Sequence, residues 1–136
     1  MYIILLITML FCHIVDDYYL QGWFTLGKQK KWWEQKVSED SSLNLDLYKN
    51  DYLMALFEHA FSWSCMICFP IIIHMIINEN IISAFLIISI VINTIIHALV
   101  DNQKANKLRI NLIQDQLIHI AQVVVTWFVY CGGVVW

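Results

Sequence analysis

Charged residues are scarce in this sequence. Only 14% of its 136 residues are Asp, Glu, Lys or Arg, against about a quarter in a typical soluble domain. No basic run or basic–aromatic interleaving is extensive enough to suggest a nucleic-acid-binding surface. The segment that opens the chain has no basic stretch ahead of it and no small-residue cleavage site, so it is not read as a signal peptide. Of the four cysteines, Cys65 and Cys68 form a C-x-x-C. On a helix that spacing lacks the turn that a zinc knuckle or a thioredoxin motif requires, and all four are read as small apolar residues. Apolar runs such as 81–92 do not alternate with polar residues, which excludes the strands of a transmembrane barrel.

What the chain has instead is hydrophobicity: 60% of its residues are apolar, and its mean hydropathy is +0.62. A domain of this length has too much surface for its volume to hide that excess. Lipid is the natural place for it. Four apolar segments, at about 2–24, 52–77, 81–100 and 112–136, each approach the roughly 20 residues that a helix needs to cross a bilayer. The fold class is therefore all-α: a single domain, 1–136, forming a four-helix transmembrane bundle. The connection 25–51 is long and polar, 78–80 is a tight turn, and 101–111 is short and basic. All eight Lys and Arg residues lie in the first and third connections. Such residues bias loops to the cytoplasm, so both termini are expected outside it, with loop 25–51 inside, in a bacterial inner membrane. Tyr18, Tyr19, Trp23, Tyr52 and Trp136 fit an interfacial aromatic belt, and Trp32 and Trp33 are placed on the inner membrane surface.

The informative residues are the ionisable ones within apolar segments, because a charge at membrane depth is costly and usually paired and functional. His13 and Asp17, His97 and Asp101, and Asp115 and His119 are each four apart, which puts each pair on one helix face. Chance spacing would yield about half such a pair, and three are present on three different segments. With the termini outside, His13, Asp17, Glu58, His59, His97, Asp101, Asp115 and His119 fall in one layer near the cytoplasmic face, while His74 falls on the far side and is left out.

Facing imidazoles and carboxylates are how bundles hold metals. One or two divalent ions are expected, zinc first, with manganese or iron as alternatives. The expected ligands are His13, Asp17, His59, His97, Asp101, Asp115 and His119. Glu58 and Asp16 are the candidate general bases, and Gln21 and Gln116 are placed as hydrogen-bonding supports around the ligands. Lys28 is placed either at the mouth of the site or, as the commoner case, in solvent as a loop lysine.

At these residues the chain resembles a family of small bacterial and phage membrane proteins of unknown function. The pattern is H-x-x-x-D-[YF]-x-L-Q at His13–Gln21, a histidine at His59, H-x-x-x-D at His97–Asp101, and D-Q-x-x-H at Asp115–His119. That family is in turn similar to membrane proteins named as metal-dependent hydrolases. The resemblance implies the same seven ligands and a hydrolytic chemistry without a substrate. The doubled Asp16-Asp17 and the long first loop depart from its simplest pattern.

Three functions fit the residues. The first is a metal-dependent hydrolase acting on a phosphoester or lipid-linked substrate near the inner leaflet. The second is a metal-ion or proton transport protein, which four spans suit best in a homo-oligomer. The third is a non-catalytic membrane partner with a structural His/Asp cluster.

Overall fold

The computed structural model describes residues 2–40, 42–78 and 84–133. Among them the chain forms helices and no strands: α1 (Tyr2–Ile14), a π-helical turn (Val15–Leu20), α2 (Phe24–Gly27), α3 (Lys30–Glu39), α4 (Leu45–Tyr48), α5 (Asp51–Ile77), α6 (Ala84–Ala105) and α7 (Leu112–Gly133). Four helical stretches are long and apolar enough to cross a membrane: 2–20, 46–77, 84–105 and 112–132. In lipid, helices leave no backbone group unpaired, and these sequences offer few polar groups that could do that work instead. The expected turn at 79–80, the start of the third span at 81–83, and Trp136 lie outside the described residues.

The four long helices pack as a ring in which α5 touches α1 and α6, and α7 touches α1 and α6. Each turns an apolar face outward, as with Ile3, Ile4, Ile7 and Phe11 on α1, the three-to-four spacing of one helical stripe. In water so many exposed apolar side chains would be a liability. Facing hydrocarbon, they are the expected surface of an integral membrane protein.

Two hydrogen bonds place the first and third connections at the same end. The Lys30 backbone N–H donates to Asn106 Oδ1 (2.7 Å), and Asn106 Nδ2 donates to the Lys28 carbonyl (3.0 Å). At the opposite end, Trp127 Nε1 donates to the Tyr2 carbonyl (2.8 Å). His74 Nδ1 lies 2.7 Å from the Tyr130 hydroxyl there, apart from the other histidines as its position in the sequence implies. The interior is divided accordingly. Leu5, Met9, Ile67, Ile71, Met75 and Tyr130 are among the residues of a dry apolar core. Buried His and Asp side chains occupy the half nearer the charged connections.

Three departures from the sequence expectations bear on the site. The first segment is not one α-helix to residue 24. It becomes π-helical at Val15 and ends at Gly22, whose φ of +50° only glycine adopts freely. The third span continues to Ala105, five residues beyond the expected end. Loop 25–51 contains α2, α3 and α4, and Trp33 is half-buried within it: its Nε1 donates to the Gly27 carbonyl at 2.7 Å and its ring stacks on Tyr48.

Candidate metal centre

The π-helical turn determines what α1 offers the interior. A π-helix closes i→i+5 bonds and carries more residues per turn than an α-helix, and it occurs mostly as single turns, frequently at functional sites. Two consecutive residues on an α-helix diverge by about 100°. Here Asp16 and Asp17 are both buried, 1% and 5% exposed. The doubled aspartate therefore supplies two interior carboxylates. They part company at their tips: Asp16 Oδ1 accepts from the Ser62 hydroxyl at 2.9 Å, while Asp17 turns toward α5 and α7.

Asp17, His59, His97, Asp101, Asp115 and His119 converge from α5, α6, α7 and the π-turn. His59 Nε2 is 3.4 Å from Asp17 Oδ1, 3.5 Å from Asp101 Oδ2 and 3.2 Å from His97 Nε2. His97 Nε2 is 3.8 Å from Asp101 Oδ2. On the other side of the same aspartate, His119 Nε2 is 3.4 Å from Asp101 Oδ1 and 3.4 Å from Asp115 Oδ1. Two ligand groups result, Asp17–His59–His97 and His97–Asp101–His119, with the donor atoms of each group within 4.8 Å of one another. All of these residues are buried.

The spacing fits an ion. Four donors at about 2.0–2.1 Å from a tetrahedrally coordinated metal stand about 3.3 Å apart, and the separations here cluster around that value. The proton inventory points the same way. His59 Nε2 and His97 Nε2 face each other at 3.2 Å beside Asp17 Oδ1 and Asp101 Oδ2, which also accept from Gln21 and Lys28, and neutral imidazoles bring only one N–H each. An ion between the two Nε2 atoms would take both lone pairs and let each ring carry its proton on Nδ1.

Neighbouring side chains fix the imidazole of His119. Gln122 Nε2 donates to the Asn93 backbone and side-chain carbonyls, 3.2 Å each, which turns Oε1 toward His119 Nδ1 at 3.1 Å. His119 Nδ1 therefore carries a proton, which leaves Nε2, between the oxygens of Asp101 and Asp115, as the ring atom that an ion would take. Hydrogen bonding of this kind orients metal-ligating histidines generally. Trp63, fully buried, stacks on His97 with ring centroids 4.2 Å apart and closes the floor of the site. Gln116 Nε2 donates to Asp17 Oδ2 (2.6 Å), and Gln21 Nε2 donates to Asp17 Oδ1 (3.3 Å), so both glutamines stand where the sequence puts them.

Three expectations need correction. Glu58 is exposed; it precedes buried His59 on α5, and one residue of helical rotation carries it off the site. His13 is buried beside the cluster but accepts from Trp63 Nε1 through Nδ1 at 2.9 Å. An indole N–H can only donate, so neutral His13 carries its proton on Nε2 and has no lone pair for an ion; it belongs to neither ligand group. Lys28 is no solvated loop residue. It is 8% exposed, and its Nζ lies 2.5 Å from Asp101 Oδ2.

Sequence reasoning also passed over Lys104, whose Nζ is 2.6 Å from Asp115 Oδ2, and Trp63, Ser62 and Gln122. Lys104 lies eleven residues before Asp115 across a short connection, a signal that appears only once α6 is extended to Ala105. Trp63 and Gln122 do carry a spacing signal, four residues after His59 and three after His119.

The bond to Trp63 makes a direct prediction. Trp63→Phe keeps the stacked ring but leaves His13 Nδ1 buried and unpaired, at a cost of about 1–3 kcal/mol in detergent unfolding. Metal content should be unchanged in both Trp63→Phe and His13→Ala, because His13 is no ligand. Loss of metal in His13→Ala would contradict the tautomer assigned here.

No known protein family, curated protein or solved structure matches the chain. The chain is a helical membrane protein with buried His/Asp groups suited to a metal ion, and its chemistry rests on the site itself.

Proposed function

We propose that this protein is a membrane-embedded, metal-dependent hydrolase acting on a phosphoester of a lipid-linked substrate near the inner leaflet, with both termini outside the cytoplasm. The observation that carries the reading is the set of donor separations between 3.2 and 3.5 Å joining Asp17, His59, His97, Asp101, Asp115 and His119. Asp101 supports a pair of ions, because one of its oxygens faces His59 and His97 and the other faces His119 and, past it, Asp115; His97, with a single lone pair, would serve only the first. Bound there, divalent ions would supply Lewis acidity to a phosphoryl oxygen and to water. The resemblance to membrane proteins named as metal-dependent hydrolases is consistent with this assignment.

Lipid access is supported by a groove of about 600 Å³ lined by Leu10, His13, Ile14, Tyr18, Tyr19, Gln116 and Ile120. It is apolar toward the bilayer and polar where His13 and Gln116 form part of its wall. Gln116 bonds to both Asp17 and Asp115, so this wall is one side chain from the ligands. In the proposed reaction water forms a new P–O bond and the ester P–O bond breaks. Asp16 takes the water proton and returns it to the leaving oxygen. Asp16 suits that role because Ser62 holds Oδ1 while Oδ2 is buried without a partner.

The test is phosphate release from a phosphatidic acid in mixed micelles by metal-loaded protein. Asp16→Asn is expected to lower kcat by about 10²–10⁴-fold at unchanged metal content. Full metal occupancy with no turnover on any phosphate ester would remove the hydrolase reading, and zinc flux into proteoliposomes would then assign a transporter. A metal-free, ion-paired core is favoured by one observation, the short Lys28–Asp101 contact. That reading requires purified protein to hold no metal.

A further inference from the structure

The two lysines of the centre have no role as ligands, yet both point into it. Lys28 follows Gly27, whose missing side chain leaves room for the Trp23 ring: a Cβ there would stand 2.1 Å from Trp23 Cζ3. The Lys28 carbonyl is tied to Asn106. The local backbone is thus fixed, and the Lys28 chain runs inward to Asp101 with 10% of its side chain exposed. Lys104 reaches Asp115 Oδ2 from the end of α6, with 33% of its side chain exposed, so it stands at the mouth.

The oxygen that Lys28 holds is the one that faces His59 and His97. An ammonium at 2.5 Å and a divalent ion at a bonding distance cannot share that oxygen without strong repulsion. The ammonium is therefore a counter-ion that the metal displaces. Once displaced, it remains beside the centre on a fixed backbone, and a group of opposite charge is what it can bind.

Charge indicates which group. Asp16, Asp17, Asp101 and Asp115 against Lys28 and Lys104 give the buried centre a net charge of −2 with neutral imidazoles. Two divalent ions bring it to +2, which a dianion balances and a monoanionic diester does not. From this we infer that Lys28, with Lys104 at the mouth, binds the phosphate of a phosphomonoester once the ions have taken the carboxylates. This rests on the metal reading above and names its substrate class.

The two functions of Lys28 move in opposite directions on substitution. In the full-length protein in detergent, Lys28→Met should bind Zn²⁺ more tightly, because a competitor is gone. Its metal-loaded form should bind inorganic phosphate about 10–100-fold more weakly, the scale of one charge-assisted hydrogen bond. Both affinities can be read by calorimetry without turnover. Lys104→Met, in which the more exposed of the two charges is removed, serves as the second variant. It should weaken phosphate binding and leave zinc binding intact or tighter. Stronger binding of phosphatidic acid micelles than of inorganic phosphate would assign a lipid headgroup, and equal binding would assign a water-soluble monoester. Weaker zinc binding in Lys28→Met, or undiminished phosphate binding in both variants, overturns the inference. Zinc bound by the wild type with no phosphate affinity overturns it too, leaving the metal centre standing. A wild type that takes up no zinc removes the metal reading itself.

Discussion

Returning Zn²⁺ to chelator-stripped protein, at about a thousand times its Kd, should stabilise the fold by about 4 kcal/mol. The gain should disappear in His97→Ala. The expectation follows from where the ligands come from. Asp17 lies on the π-turn, His59 on α5, His97 and Asp101 on α6, and His119 on α7. Ions held by the two groups would together tie the first segment, α5, α6 and α7 at one level of the bundle, and helices in lipid have no hydrophobic effect of their own to hold them together. His97 is the substitution to choose because it belongs to both ligand groups and is fully buried. Its removal also opens a void against Trp63, so the variant is less stable even without metal; the diagnostic quantity is the zinc-dependent increment. An increment near zero in the wild type, with less than one ion per chain by elemental analysis, would end the metal reading.

The spans were legible because lipid imposes one demand, an unbroken apolar run long enough to cross, and α5 begins within one residue of its expected start. The end that failed on α6 is one where polar residues continue the helix. Nothing in hydropathy separates Asn102–Ala105 from a loop, yet these residues extend α6 because Lys104 finds Asp115 and Asn102 bonds Asn106. The spacing of four was a sound guide on α6 and α7, where His97–Asp101 and Asp115–His119 face each other. It failed on the first segment because the rule presumes α-helical turns, and the π-turn begins two residues after His13. Asp17 is consequently directed to His59 and Gln116, and His13 to Trp63. Lys28, for which the sequence left the mouth of the site as the second reading, was misweighted for a different reason. A lysine in a polar connection is usually solvated, and only the tertiary fold of α2 against α5 brings this one inside.

The Lys28–Asp101 pair carries the second large effect. Asp101→Asn leaves an ammonium buried without its partner, and breaking a buried pair from one side costs about 3–5 kcal/mol. Adding Lys28→Met to Asp101→Asn removes the stranded charge, so the double variant should recover most of that loss in detergent unfolding. Recovery of stability cannot recover the centre. Asp101 supplies oxygens to both His59–His97 and His119, and an amide cannot hold two ions as a carboxylate does, so zinc content should fall in single and double variants alike. The two readouts separate the readings. If Asp101 were only half of an ion pair, the double variant would match the wild type in every property. If Asp101 bridges ions, the double variant matches the wild type in stability only when both are stripped of metal and binds zinc like the single one, and the deficit in bound zinc measures what the carboxylate does beyond neutralising Lys28.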